Sequence, residues 1–116
     1  MSNDCFYSES GETFSTDGWS TPRSYSNDFA PLPNESGVYF IVVRDWSSAK
    51  KTIVYVGSSK NLAKRCERHP MITKIESHIR SQFEDAVVYF CQCNNYLERE
   101  KSLIRATQAR YNRQWR

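Results

Sequence analysis

The sequence predicts an α+β domain with a small three-stranded antiparallel sheet flanked by helices, in the order β-β-α-α-β-α. Three observations lead to this prediction: two β-rich runs joined by a short charged segment, apolar residues at helical spacing after them, and a third β-rich run before a polar helix start. At 116 residues the chain has room for one modest core. It has no apolar run long enough to cross a bilayer and no secretory signal pattern. We therefore expect a soluble cytoplasmic protein with no membrane contact.

The first two strands are predicted at residues 38–43 and 52–56, both rich in β-branched and aromatic residues. The segment between them, 44–51, has charged residues at both ends and suits a hairpin loop. Antiparallel pairing across this loop would bring Tyr39 and Tyr55 near each other. Whether the two side chains share a face depends on the register, which the sequence leaves open.

A short helix is predicted over residues 60–68, because Pro70 disfavours helical backbone at His69. Arg65 and His69 are four residues apart and would share one helical face. Isoleucines at helical spacing then predict a second short helix: Ile72, Ile75 and Ile79.

The third strand is predicted at residues 86–91, which are apolar and β-rich. Asn95 followed by Glu98 has the pattern of a capping box, so a last helix is expected from there to about Ala109.

Residues 1–33 form a predicted extension, and residues 34–116 form the predicted domain. The extension is rich in small polar and acidic residues without a helical or strand period, which is typical of loop or disorder. It nevertheless carries six aromatic residues, some of which we expect to pack on the domain: Phe6, Tyr7, Phe14, Trp19, Tyr25 and Phe29.

Charge is divided unevenly along the chain. Residues 1–36 hold six acidic residues against one arginine, whereas residues 37–116 hold fifteen Lys or Arg against seven acids. A basic body suits a polyanion such as nucleic acid, although a solvated basic surface without that role is equally common. One hypothesis is that the acidic extension folds across the basic face and weakens DNA binding; a tail without regulatory role is the simpler alternative.

The four cysteines fit no zinc-binding spacing, and nothing indicates secretion, so free thiols are expected at Cys5, Cys66, Cys91 and Cys93.

The residues around the predicted hairpin suit phosphodiester hydrolysis. That reaction needs an activated water, a cation to stabilise charge on the phosphate and, commonly, a divalent ion held by a carboxylate. Tyrosine or histidine can take a proton from water when it lies within hydrogen-bonding reach. Each residue also has an ordinary alternative: tyrosines in a sheet core, a solvated arginine, a surface glutamate, or a histidine at a helix end.

Two short motifs stand at the predicted hairpin strands, Gly37-Val38-Tyr39 and Tyr55-Val56-Gly57. They resemble the first and second signatures of the GIY-YIG nuclease family, and the resemblance covers about residues 37–112. Lys64-Arg65 with His69 resembles the homing-endonuclease branch, and the segment from Glu100 through Leu103-Ile104 to Asn112 resembles the ending of the family pattern. In the excision-repair branch a proline commonly stands where this chain has Ala109, a minor departure.

The resemblance implies a metal-dependent endonuclease that cuts one DNA strand per active site. It implies that Glu100 holds Mg²⁺ or Mn²⁺, that Arg65 stabilises the transition state, and that Tyr39 or Tyr55 orients or deprotonates the attacking water. The remaining residues have supporting roles: His69 assists catalysis, and substrate-binding or structural roles fall to Gly37, Gly57, Lys60, Lys64 and Asn112.

DNA is the expected partner, and specificity is expected to come from the nuclease body, a homodimer or a partner protein. Two alternatives stay open. One is a non-catalytic nucleic-acid-binding or interaction module with the same fold, and the other is a nuclease for RNA or branched DNA.

Overall fold

The computed structural model describes residues 5–20, 23–24, 32–67, 70–79 and 83–114. The strands are β1 (Cys5–Tyr7), β2 (Thr13–Ser15), β3 (Arg23–Ser24), β4 (Gly37–Asp45), β5 (Lys50–Ser59) and β6 (Glu84–Gln92). The helices are α1 (Leu62–Glu67), α2 (Pro70–His78), α3 (Tyr96–Thr107) and α4 (Arg110–Gln114). No helix among the described residues is long and apolar enough to cross a membrane.

The strands form one sheet in the order β2-β1-β5-β4-β6-β3. β4 lies in the middle and pairs antiparallel with both β5 and β6 along its whole length. Because both faces of β4 are covered, residues 37–42 are all buried, which explains why this strand reads as a continuous apolar run rather than an alternating one.

Alternate residues of β4 belong to two different cores. On one face, Tyr39 and Ile41 pack in a first core cluster with residues of α2 and α4, such as Ile75 and Tyr111. On the other face, a second core cluster contains Phe40, Val42, Ile53, Val56, Val87 and Tyr89. Leu103 and Ile104 of α3 pack against this second cluster.

The mixed α+β class is confirmed, but the predicted three-stranded sheet and element order are wrong. In the described parts of the chain, five strands have three or more residues, and the two-residue β3 is a sixth. The difference arises in the N-terminal segment, whose residues were expected to be loop or disordered. β1 pairs with β5, β2 pairs with β1, and β3 pairs with β6, so this segment extends the sheet at both edges.

The aromatic residues of this segment pack as expected. Phe6 of β1 is fully buried in the second core cluster, and Phe14 and Trp19 pack at its margin. The Trp19 ring stacks on Phe40 with a centroid distance of 4.0 Å. Tyr25 and Phe29 lie outside the described residues, and the boundary between residues 33 and 34 stays a prediction.

Three helix predictions need correction. Pro70 does not simply end the first helix: it is the first residue of α2, where its missing N–H is tolerated. Asn95 does precede α3, but its side chain makes no capping hydrogen bond. α3 ends at Thr107 rather than near Ala109, because Gln108 adopts a left-handed conformation, and α4 then follows.

Candidate active site

The glycine of the second signature makes room for the tyrosine of the first. Tyr39 lies directly opposite Gly57 across the β4–β5 pair. A Cβ atom on Gly57 would stand 2.3 Å from both Cζ and Oη of Tyr39, far inside van der Waals contact. Tyr39 is fully buried, so its ring cannot swing into solvent to avoid such a group. Gly57 therefore lets the Tyr39 phenol lie across β5.

Tyr55 lies on the same side of the sheet as Tyr39, packed against the first core cluster. The two rings are 6.2 Å apart between centroids, so the predicted proximity of the tyrosines is present. The register between β4 and β5 shifts between Ile41 and Val42, and Val54 is the extra residue of β5. This bulge bends the strand next to the tyrosines and could not be read from the sequence.

Arg65 comes from α1, whose start is fixed by hydrogen bonds. The side-chain Oδ1 of Asn61 accepts a hydrogen bond from the Lys64 amide at 3.1 Å, as an N-cap residue does. The Leu62 amide donates to the carbonyl of Glu35 at 2.9 Å, and the Leu62 side chain is fully buried. α1 is thereby tied to the segment that leads into β4.

The Arg65 guanidinium lies within hydrogen-bonding range of both phenols, Tyr39 and Tyr55. Partial burial acts to lower the pKa of Arg65, but its interactions with the two tyrosines outweigh burial and raise it. Arg65 therefore stays cationic. Burial raises the pKa of Tyr55 most, with the nearby Glu100 carboxylate adding to the rise and Arg65 and Tyr39 opposing it. Tyr55 is consequently a neutral phenol near pH 7.

Glu100 reaches the site from α3, which lies on the opposite side of the sheet. The hydroxyl of Ser58, on β5, donates a hydrogen bond to Oε1 of Glu100 at 2.8 Å. The same carboxylate is close enough to Tyr55 to affect its pKa. Arg65 therefore lies beside the two phenols on the β4–β5 pair, and Glu100 lies at Ser58 near the end of that pair, within electrostatic range of Tyr55.

Asn112, on α4, holds the outer edge of β5. Its Nδ2 donates to the Val56 carbonyl at 2.8 Å, and its Oδ1 accepts from the Val56 amide at 2.7 Å. These are the two hydrogen bonds that a neighbouring strand would otherwise make. The described pairing of β1 with β5 lies further along, at Tyr7 and Thr52. Asn112 thus fixes the backbone between Tyr55 and Gly57.

The residues present fit a hard divalent ion held by a single carboxylate. Mg²⁺ commonly binds one or two carboxylates together with waters and substrate phosphate oxygens. Glu100 provides one carboxylate, partly buried and oriented by Ser58. Within the described ranges no group of three or more His, Cys, Asp or Glu side chains forms a protein cage for a metal.

The other predicted site residues occupy different positions. Gly37 lies where a Cβ would stand 2.4 Å from the Cys91 carbonyl oxygen, so it permits close approach of β4 and β6. Lys60 and Lys64 are exposed. His69 lies outside the described residues.

The described cysteine side chains are free thiols, as predicted: Cys5, Cys91 and Cys93. The side chain of Cys66 is not among those described.

Sequence reasoning missed both Ser58 and the contact made by His78. Ser58 follows Gly57 on a strand, so its side chain points to the face that α3 covers, and this alternation was a usable signal. His78 is exposed, and its Nδ1 forms a short hydrogen bond with the hydroxyl of Tyr111. That contact joins α2 to α4, and α4 itself was not predicted.

A scan against protein-family models matches the model described as GIY-YIG catalytic domain over residues 35–112. This range is about two thirds of the chain and contains both signatures, Arg65, Glu100 and Asn112. No curated protein and no solved structure is similar enough to the chain to count as a match. The family predicted from the signatures is therefore confirmed, and the chain belongs to the GIY-YIG family, whose domains are typically nucleases.

Proposed function

We propose that this protein is a metal-dependent endonuclease that hydrolyses DNA phosphodiester bonds, one strand per active site. The observation that carries the proposal is the grouping of Tyr39, Tyr55 and Arg65 with the Glu100 carboxylate at one end of the β4–β5 pair. Those are the groups that phosphodiester hydrolysis requires, and they come from four separate elements.

Glu100 is the proposed ligand of Mg²⁺ or Mn²⁺. When bound, such an ion supplies positive charge that polarises the scissile phosphate and makes water easier to deprotonate. The Ser58 hydroxyl donates a hydrogen bond to Oε1 of Glu100, and this bond restrains the carboxylate in one orientation.

Arg65 is the proposed cation that stabilises charge developing on the phosphate. It already lies beside the two phenols, so little reorganisation is required when substrate arrives. Of the two tyrosines, the partly exposed Tyr55 is proposed to orient the attacking water, because Tyr39 is fully buried. The raised pKa of Tyr55 favours a neutral phenol that holds and donates rather than a phenolate that abstracts a proton.

The supporting roles follow the same proposal. Asn112 braces β5, and the glycines Gly37 and Gly57 permit the close approaches described above. The exposed lysines Lys60 and Lys64 are proposed to contact phosphates. His69 keeps its proposed assisting role.

The alternatives are a non-catalytic nucleic-acid-binding or interaction module, and a nuclease for RNA or branched DNA. An enzyme is favoured because this chain has the carboxylate, the guanidinium and the phenols that the proposed reaction uses. DNA remains the proposed substrate, with specificity supplied by the nuclease body, a homodimer or a partner protein.

The test is conversion of supercoiled plasmid by the purified protein in Mg²⁺ or Mn²⁺, with EDTA as the control. Nicked circles that appear before linear product, and only without EDTA, support a metal-dependent enzyme that cuts one strand at a time. Parallel reactions on single-stranded RNA and on branched DNA separate the substrate classes. Binding to all of these without cleavage would favour the non-catalytic module.

Replacing Ser58 with alanine is expected to raise the Mg²⁺ concentration that DNA nicking needs. Without the Ser58 hydroxyl the Glu100 carboxylate loses a hydrogen bond that restrains it, so the Mg²⁺ concentration for half-maximal nicking should rise about tenfold. The measurement is the nicking rate against Mg²⁺ concentration. Ser77→Ala, a change at an exposed serine on α2, is the control. Equal Mg²⁺ dependence in parent and Ser58→Ala would rule out this orienting role.

A further inference from the structure

The N-terminal segment makes a polar contact with α4 as well as packing on the sheet. Oε1 of Glu9 accepts a hydrogen bond from the Arg110 backbone amide at 2.8 Å, and Oε2 accepts from Nε at 2.8 Å and Nη2 at 2.6 Å of the Arg110 side chain. Glu9 thus binds both the first backbone amide of α4 and the side chain of the same residue. The segment containing Glu9 precedes the residues matched by the family model.

The turn that presents Glu9 is itself well fixed. Ser8 is buried, its backbone amide donates to the Glu12 carbonyl at 2.8 Å, and its Oγ accepts from the Glu12 amide at 3.0 Å. Gly11 adopts a positive φ of 97°, which favours glycine, and its amide donates to the Ser8 carbonyl. These hydrogen bonds fix the turn between β1 and β2, and with it the position of Glu9.

α4 needs contacts of this kind because it has five residues, too few for a helix that is stable by itself. A carboxylate at the first turn of a helix is favourable, since it satisfies a free amide and complements the helix dipole. Among the described residues, α4 is also held by the packing of Tyr111 in the first core cluster, by the hydrogen bond between the Tyr111 hydroxyl and His78, and by the hydrogen bonds of the Asn112 side chain to Val56. Asn112 is two residues beyond the one that Glu9 binds.

We propose that Glu9 is a positioning residue of the active site. It holds the start of α4, so that Asn112 keeps its two hydrogen bonds to Val56 and thereby fixes the backbone between Tyr55 and Gly57. The effect on cleavage rests on the proposed function, whereas the effect on the Val56 backbone does not. The N-terminal segment is then part of the catalytic unit rather than an appendage.

The size of the effect is limited by solvent. The side chains of Glu9 and Arg110 are 24% and 53% exposed, so the pair is screened and contributes less than a buried one. Loss of the charge-assisted hydrogen bonds should increase local opening at Val56 by about five- to tenfold. Global unfolding should change little.

The test compares Glu9→Ala with Glu12→Ala, a change at an exposed carboxylate of the same turn. The direct readout is hydrogen exchange of the Val56 amide by NMR, with the Val42 amide in the middle of the sheet as the reference for global opening. We expect faster exchange at Val56 in Glu9→Ala alone, without an equal change at Val42. Glu9→Gln, which keeps an oxygen acceptor for the Arg110 amide, should lie between Glu9→Ala and the parent.

The second readout is steady-state DNA cleavage, in which kcat should fall in Glu9→Ala while KM for DNA stays the same. Unchanged Val56 exchange in Glu9→Ala overturns the proposal, whatever happens to cleavage. Faster Val56 exchange with an unchanged kcat overturns its catalytic half. If the parent cuts no nucleic acid, the proposed nuclease function fails, and the exchange measurement still decides whether Glu9 holds this backbone.

Discussion

Gly57→Ala is expected to abolish most DNA cleavage and to destabilise the fold. The new Cβ would stand 2.3 Å from the Tyr39 hydroxyl and Cζ, so either the tyrosine ring or β5 has to move. Both are constrained, because Tyr39 is fully buried and Asn112 fixes β5 at Val56. Overpacking of this kind costs about 1–3 kcal/mol in the free energy of unfolding.

The loss of activity should exceed the loss of stability. A displacement of about 1 Å in a catalytic group is enough to reduce a rate about 100-fold. The measurements are the nicking rate and the free energy of unfolding in urea. Combining Gly57→Ala with Tyr39→Ala provides the control, because the double variant removes the clash. If Gly57→Ala destabilises equally with and without the Tyr39 ring, the collision described here is not the cause.

Phe6→Ala is expected to destabilise the protein by about 3–5 kcal/mol, the usual cost of removing a buried phenylalanine ring. The Phe6 ring is fully buried and makes edge contacts with Tyr89, Phe40 and Trp19 at centroid distances of 4.8, 5.2 and 5.9 Å. A small domain has few such residues, so this loss is a large fraction of its total stability.

The measurement for this prediction is urea or thermal unfolding of Phe6→Ala beside Phe83→Ala. Phe83 is 57% exposed, and its replacement should change stability by no more than about 0.5 kcal/mol. Similar small effects for the two variants would mean that the N-terminal segment does not belong to the core.

This packing affects how the acidic segment should be tested for an influence on DNA binding. Deleting residues 1–33 would remove Phe6 and Trp19 from the second core cluster, so weaker or stronger binding after deletion would be hard to separate from unfolding. Neutralising exposed acids instead, as in Glu12→Gln with Asp17→Asn, leaves the core intact. The hypothesis then predicts tighter DNA binding at low salt.

The signatures were sufficient to predict the family, and the order of β-rich and helical segments was sufficient to predict the mixed α+β class. Both predictions rest on strong local information in the sequence. A glycine stands where a neighbouring side chain must pass, and an apolar run stands where a strand is covered on both faces. The closeness of Tyr39 and Tyr55 followed from simple antiparallel pairing, and the family confirmation followed from the order of the motifs.

The parts that sequence reasoning missed depend on contacts between distant residues. β1 and β2 have three residues each, too short to show an alternating pattern, and they exist because Phe6 enters a core built by later strands. The five-residue α4 has no periodicity either and is held by Glu9, His78 and Val56. The bulge at Val54 changes the register without any local sequence signal.

The most direct test of the central claim is the single-turnover nicking rate of supercoiled plasmid in Mg²⁺, measured for the parent, Glu100→Gln and Glu98→Gln. Glu98 is an exposed carboxylate in the first turn of the same helix, so it controls for charge and for helix stability. We expect Glu100→Gln to lower the rate by about 100- to 1000-fold and Glu98→Gln to leave it unchanged. Cleavage by Glu100→Gln at the parent's rate would contradict the assignment of this carboxylate, and with it the active site described here.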